Sequence, residues 1–169
     1  MTTVTRDEVI EAWDQLCELD EEPTDELVKR FMDEQPALGL YLAAGHEAMG
    51  EEAEESPLID LAVTIWQVMS RGAGQSLKSV TPEAVEQAEA ENEQMLESLA
   101  ESSDVESKSA AEQLATNYHQ WPILGFCLEM LMQENEESPE LAPERIGLEL
   151  LMLKTLIDCL DQYATPERV

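Results

Sequence analysis

Positive charge is scarce in this sequence, which has 9 Lys and Arg against 38 Asp and Glu and a formal net charge of −29. Binding to nucleic acid requires cationic groups that neutralise phosphates, and anionic lipid surfaces attract the same groups. The chain is therefore predicted to bind neither nucleic acid directly nor a membrane. Its surface would instead attract basic proteins and divalent cations, although acidity also keeps a protein soluble without any partner.

Glycine, aromatic residues and β-branched runs are also few, with 7 Gly and 5% aromatics. Most of the acidic residues are Glu, which favours helices more than Asp does. Apolar residues make up 43% of the chain, which is enough for a hydrophobic interior. The composition therefore predicts an all-α protein, folded as one compact helical bundle.

No targeting signal or membrane span is visible. The first residues, MTTVTRDEVIEAW, contain neither a basic region nor an apolar stretch of the kind found in secretory signals. No uninterrupted apolar run reaches about 18 residues. Cys17, Cys127 and Cys159 form no CxxC motif, and each stands in an apolar helical pattern. We expect a cytoplasmic protein whose three cysteines are reduced and buried.

Apolar residues recur at helical spacing in both parts of the chain. In the first part, we predict a helix over 5–19 with a Thr5/Glu8 capping box, followed by a helix that Thr24 caps and Pro36 ends. A helix over 36–50 comes next. After an acidic loop, a buried helix over 58–69 starts at Ser56-Pro57. In the second part, they are a helix over 82–101, a segment leading to Trp121-Pro122, a helix from there through Leu131, an acidic turn over 134–139, and a buried helix over 146–160.

One motif, Pro-x-Leu-Gly-x-x-Leu, occurs twice, in EQPALGLYL (34–42) and QWPILGFCL (120–128). The spacing predicts a tandem duplication of two pseudo-symmetric helical repeats, 1–75 and 76–169, with about four helical segments each and one shared core. Glycine within a helix costs about 1 kcal/mol relative to alanine, so we expect the helices over 58–69 and 146–160 to approach the motif glycines closely. The motif residues are Pro36, Leu38, Gly39, Leu42, Pro122, Leu124, Gly125 and Leu128.

No motif for catalysis or for binding a cofactor is present. The two histidines, His46 and His119, belong to no HExxH or ExxH pattern. The acidic segments 51–55 and 134–137 do not alternate their ligands around a glycine as a calcium loop does. There is no nucleophile elbow and no phosphate-binding glycine loop. The sequence predicts a non-enzymatic protein without cofactor or metal, and leaves open whether either histidine has a role.

The helix over 82–101 is the most acidic element, and we interpret it as a surface for a basic protein partner. Its candidate residues are Glu83, Glu86, Glu89, Glu93, Glu97 and Glu101. Other interpretations stay open: a solvated outer helix, a DNA mimic that inhibits a DNA-binding protein, a metal-binding helical protein or enzyme of unknown reaction, and acidity that serves only solubility or salt adaptation. A homodimer through the two most apolar helices is a further alternative.

Overall fold

A computed structural model describes residues 3–50, 56–73, 77–101, 112–137 and 143–164, and excludes the side chains of 99–101, 135–137, 143 and 144. The described residues contain eight α-helices and no strand, which confirms the all-α prediction. These helices are α1 (Arg6–Cys17), α2 (Glu21–Glu34), α3 (Pro36–Ala48), α4 (Leu58–Gly72), α5 (Pro82–Glu101), α6 (112–117), α7 (Trp121–Glu137) and α8 (Pro143–Tyr163).

The core lies around α4 and α8, which contact each other. Helix α1 packs against both α4 and α7, and α5 packs against both α8 and α3. Helix α2 contacts α3 and α4. Helix α4 is buried on most of its circumference, as its apolar sequence predicts. The described helices therefore share one continuous hydrophobic core rather than two separate ones.

Near the start of three helices, a hydroxyl oxygen accepts a hydrogen bond from a backbone N–H. The Thr5/Glu8 capping box is confirmed: Glu8 N–H donates to Thr5 Oγ1 at 3.4 Å, and Thr5 N–H donates to Glu8 Oε2 at 2.8 Å. Thr81 Oγ1 accepts from the N–H of Ala84 at 3.3 Å, at the start of α5. Ser56 Oγ accepts from Leu58 N–H at 3.1 Å. Each contact satisfies a backbone donor that the helix itself leaves unpaired.

The predicted start of α2 is wrong by four residues. Thr24 is not the N-cap, because the helix begins at Glu21 after Asp20 and includes Pro23 in its first turn. Proline is tolerated there because the first backbone N–H groups of a helix have no acceptor within it. The hydroxyl of Thr24 instead donates to the carbonyl oxygen of Asp20 at 2.9 Å.

The predicted acidic turn after α7 is also wrong in its first part. Residues 134–137 continue α7, which ends at Glu137. Glu has high helix propensity, and no proline or glycine intervenes before Ser138-Pro139. Residues 138–139, like the acidic segment 51–55 of the first part, lie outside the described residues.

The repeated motif forms the starts of α3 and α7. Pro36 is the first residue of α3, and Pro122 is the second residue of α7. Three of the four motif leucines are buried, and Leu128 is half-buried. These are the positions expected for an inner helix face.

The prediction that the helices over 58–69 and 146–160 approach the motif glycines closely is wrong. A Cβ on Gly39 would collide with the side chain of Met32, on α2. A Cβ on Gly125 would lie 3.2 Å from the indole of Trp121, one turn earlier in the same helix. The close approaches therefore come from α2 and from α7 itself, not from α4 and α8.

One of the three cysteines differs from the expectation that all are buried. Cys127 and Cys159 are buried, but Cys17 is exposed at the last residue of α1. The apolar stripe of α1 runs through Val9, Ala12 and Leu16, and Cys17 lies one position beyond it.

Candidate functional site

The acidic residues of α5 do not surround the helix evenly. Four of them recur at intervals of three, seven and four residues and are all exposed, so they share one outer side. We call Glu83, Glu86, Glu93 and Glu97 the acidic face. Two further predicted residues do not belong to it: Glu89 is half-buried, and the side chain of Glu101 lies outside the described residues.

The acidic face has no cationic neighbour within its own helix, since α5 contains no Lys and no Arg. Among the described residues, none of its four carboxylates forms an ion pair. At a rise of 1.5 Å per residue, the face extends over about 21 Å from Glu83 to Glu97. Within the described part of the chain, it is therefore a row of negative charge without an ion-pair partner, on a single helix.

The opposite side of α5 packs on α8 through a buried amide. Asn92 is 3% exposed, and its Nδ2 donates to Thr155 Oγ1 at 3.1 Å and to Asp158 Oδ2 at 3.0 Å. Lys154 Nζ donates to Asn92 Oδ1 at 2.8 Å and to Asp158 Oδ2 at 2.7 Å. The donors and the acceptor of the Asn92 amide are all used, so the amide sets how α5 sits on α8.

Tyr118, just before α7, completes this group. Its hydroxyl donates to Asp158 Oδ1 at 2.6 Å, and the ammonium of Lys154 lies 4.7 Å from its ring centroid. Burial, with the charges of Asp158 and Asp161, raises the pKa of Tyr118 well above its usual range. The hydroxyl therefore keeps its proton as a donor. We call Asn92, Tyr118, Lys154, Thr155 and Asp158 the anchor network.

Sequence reasoning missed the anchor network, although two signals for it exist. Asn92 interrupts the apolar side of α5, at a seven-residue interval from the buried Val85. Lys154 and Asp158 stand four residues apart in the stretch 150–160 of α8, whose other residues are apolar except Thr155. A buried charge requires a partner, so these residues in apolar positions indicate a packed polar contact.

The two histidines do not form a common site. The Nε2 atom of His119 lies 3.0 Å from Asp161 Oδ2, and the His119 side chain is half exposed. His46 is half-buried in the last turn of α3. No serine or cysteine nucleophile lies within hydrogen-bond reach of either histidine in the described part of the chain.

Two buried glutamines hold distant segments of backbone. Gln35 precedes α3; its Oε1 accepts from Val80 N–H at 2.9 Å, and its Nε2 donates to the carbonyl of Lys78 at 3.1 Å. Gln120 precedes α7; its Oε1 accepts from Val4 N–H at 3.2 Å, and its Nε2 donates to Asp161 Oδ1 at 3.0 Å. Both glutamines are 0% exposed.

A buried ion pair joins the start of α8 to the segment before α4. Arg145 Nε donates to Glu149 Oε1 at 3.3 Å, and Ser56 Oγ donates to the same oxygen. Arg145 and Glu149 are 6% and 2% exposed. This pair is internally neutral, and we assign it to the packing of α8 beside α4.

Over the described residues, no group of three or more His, Cys, Asp or Glu side chains is arranged to hold a metal ion. No helix in that part of the chain is long and apolar enough to cross a bilayer. Comparison with protein-family models, with curated protein sequences and with solved structures yields no match.

Proposed function

We propose that this protein acts without catalysis, by binding a basic protein partner through the acidic face of α5. The observation that carries the proposal is the position of four exposed carboxylates in one row, on a helix that contains no Lys or Arg and that the anchor network joins to α8. Like charges at this spacing weaken an isolated helix. A cationic partner relieves that repulsion, so binding and helix stability favour each other.

Electrostatic complementarity acts mostly on partner choice and on the rate of association. Exposed charges are screened beyond about 8 Å at physiological ionic strength. Binding through the acidic face should therefore be fast at low salt and should weaken as salt is added. A partner with a row of Lys or Arg along one helix or strand fits this face best.

DNA mimicry is the more specific alternative. The spacing of the charges does not favour α5 alone as the mimic of duplex DNA. Duplex DNA carries one negative charge per about 1.7 Å, or about 12 over the 21 Å of the acidic face. The face provides four. A mimic would need carboxylates from other elements to reach the same density. For a metal-binding role, the described residues offer no group of three or more His, Cys, Asp or Glu side chains that could hold an ion.

We also propose that the chain is a tandem duplication. The supporting observations are the motif that begins α3 and α7, the glutamine before each of those helices, and the Val-Thr pair before each of α1 and α5. In this scheme α1, α3 and α4 correspond to α5, α7 and α8. Superposition of the described parts of 24–70 and 106–160 tests it, since unrelated backbone paths would contradict a duplication.

The binding proposal is tested by affinity capture from a lysate of the native host with three baits. The first is the native protein. The second carries Glu83→Gln, Glu86→Gln, Glu93→Gln and Glu97→Gln. The third is a control of equal net charge with Glu18→Gln, Glu26→Gln, Glu47→Gln and Glu112→Gln, all exposed positions outside α5. Both variants change the formal charge from −29 to −25, since each removes four carboxylates.

The proposal predicts a basic protein that the native and control baits retain at low salt and release at high salt, and that the face variant does not retain. Equal capture by all three baits would mean that net charge, rather than the acidic face, attracts the protein. A captured DNA-binding protein that duplex DNA displaces would favour mimicry. No salt-sensitive capture by any bait would contradict both functions.

A further inference from the structure

The outer side of α3 is apolar, although the protein as a whole is strongly acidic. Among the described residues, Leu40 has the most exposed large apolar side chain, at 73%. Pro36 and Ala44, one turn before and one turn after Leu40, are also exposed and lie on the same side of the helix. Residues 36–45 contain no charged side chain. Water therefore contacts an apolar row on this helix.

The second copy of the Pro-x-Leu-Gly-x-x-Leu motif shows how this chain covers the same position elsewhere. Leu40 and Phe126 are each the fifth residue of a motif copy, yet Phe126 is only 6% exposed. The ring of Trp13, on α1, packs edge to face on the ring of Phe126, with centroids 6.0 Å apart. An apolar side chain from a neighbouring helix thus covers this position on α7.

Helix α5, which packs on α3, carries a carboxylate in place of that aromatic cover. Trp13 follows the capping Thr5 of α1 by eight residues. Glu89 follows the capping Thr81 of α5 by the same interval and is half-buried. The chain therefore provides an indole over Phe126 and no equivalent apolar group over Leu40.

Helices α3 and α5 run side by side in the same direction. Gln35, just before α3, accepts from the backbone N–H of Val80, just before α5, at 2.9 Å. Further along both helices, burial and the adjacent carboxylate of Glu89 raise the pKa of the Tyr41 hydroxyl. The exposed Ala44, three residues after Tyr41, borders this contact on the outer side of α3.

The acidic face of α5 begins next to this contact. Glu86 and Glu93 stand three residues before and four residues after Glu89, so they flank it on the side of α5 nearest to α3. The apolar row of Leu40 and Ala44 therefore lies alongside the row of carboxylates. Packed helices have axes about 8–10 Å apart, and an α-helix with its side chains is about 10–12 Å wide. One further helix can cover both rows.

We propose that the basic partner docks on α3 and α5 as an amphipathic helix, with its apolar stripe on Leu40 and its Lys or Arg row along the acidic face. This inference rests on the proposed function and adds the kind of element that binds. Charge complementarity selects the basic side of the helix, and the apolar stripe supplies over Leu40 the cover that Trp13 gives to Phe126. The acidic face extends over about 21 Å, which is about four turns of a helix.

Two synthetic peptides, each about four helical turns long, test the docking surface. In the first, leucines recur at helical spacing along one side and lysines occupy the other sides. The second has the same composition in an order that spreads the leucines around the helix. Fluorescence anisotropy measures the affinity of both for the native protein, for Leu40→Gln and for the acidic-face variant with four glutamines. Leu19→Gln, at another exposed leucine outside α3 and α5, is the matched control.

The native protein and Leu19→Gln should bind the amphipathic peptide about tenfold more tightly than the reordered one, because burying one leucine side chain contributes about that factor. Leu40→Gln should lose this preference and keep the salt-sensitive affinity for both peptides. Equal affinity of the native protein for both peptides, or a preference that survives Leu40→Gln, would overturn the inference.

Failure of the proposed function gives a different result. The acidic-face variant should bind both peptides more weakly than the native protein does. Unchanged affinity of that variant for both peptides would contradict binding through the acidic face itself. Analytical ultracentrifugation of the protein alone tests a different occupant: a native dimer that Leu40→Gln converts to monomer would overturn the inference, because a second copy would then cover Leu40.

Discussion

The backbone N–H of Val4 donates to the side-chain oxygen of Gln120, across 116 residues of sequence. Both residues are buried, so no water competes for the bond. Through its amide nitrogen, Gln120 also donates to Asp161 near the end of α8. One side chain thereby joins the segment before α1, the start of α7 and the last turns of α8.

Removing the side chain of either buried glutamine, Gln35 or Gln120, should destabilise the whole protein. Gln120→Ala leaves the buried N–H of Val4 without an acceptor, and Gln35→Ala does the same to Val80. An unsatisfied buried donor costs about 1–3 kcal/mol. We expect each variant to lose that much free energy of unfolding in urea. Gln133→Ala, at an exposed position on α7, should change it by less than about 0.5 kcal/mol, and equal losses in all three variants would contradict the assignment.

The anchor network should hold α5 in place. Lys154→Met keeps the length of the side chain but removes the donor to Asn92 and Asp158. We expect a loss of about 1–3 kcal/mol, together with faster hydrogen exchange in α5 than in α1. Lys29→Met, which breaks an exposed pair with Asp33, is the control and should have little effect. Uniformly faster exchange over all helices would mean that the network has no local role.

Replacement by alanine should have different effects on stability at two glycines in helices. A Cβ on Gly147, in α8, would meet no atom within 4 Å, so Gly147→Ala should stabilise the protein by about 1 kcal/mol. A Cβ on Gly45, in α3, would collide with the end of Met152, which is 2% exposed in the core. Gly45→Ala should therefore gain less, or lose stability. Thermal unfolding of the two variants measures the difference, and an equal gain would show that Met152 moves freely.

The thiols should differ in reactivity. Burial raises the pKa of Cys127 and of Cys159 to about 12, in the second case with help from Asp158. Burial, with Asp60 and Asp14, also raises the pKa of Cys17, which remains exposed. A thiol reagent at neutral pH should label only Cys17 in the folded protein, more slowly than a free thiol, and all three cysteines in urea. Labelling of more than one cysteine without urea would contradict the burial.

The same shifts predict lower stability at alkaline pH. A thiol whose pKa is raised on folding keeps its proton in the native state, so the unfolded state loses protons first as pH rises. The contribution of Cys127 and Cys159 is complete below about pH 9, the ordinary thiol value, and declines up to about pH 12. Urea unfolding at pH 7, 9 and 11 should show this decline, and a Cys127→Ala/Cys159→Ala variant should show a smaller one.

Local patterns in the sequence predicted much of the fold. The Thr5/Glu8 capping box and the apolar run of α4 depend on neighbours a few residues apart, and both have the predicted structure. The start of α2 was predicted too late in the chain, because a proline such as Pro23 is tolerated in the first turn of a helix. The exposure of Cys17 was missed because it lies one residue past the apolar stripe of α1.

Contacts between distant residues could not be predicted in the same way. Gln35 and Gln120 have the appearance of ordinary residues before a helix, and only the packed chain brings Val80 and Val4 to them. The atoms closest to Gly39 and Gly125 likewise depend on the positions of the Met32 and Trp121 side chains in the packed chain. For the acidic helix, the sequence predicted the element, and the structure separates the half-buried Glu89 from the four residues of the acidic face.

The central claim, that the acidic face of α5 contacts a basic partner, is tested most directly by photocrosslinking in the native host. A photoreactive phenylalanine derivative replaces Glu93 in one strain and Glu26, an exposed residue of α2, in another. We expect a crosslinked adduct with one basic protein from position 93, and none from position 26. The adduct from position 93 should be lost when the other three residues of the acidic face are changed to glutamine. The same adduct from both positions, or none from position 93, would contradict it.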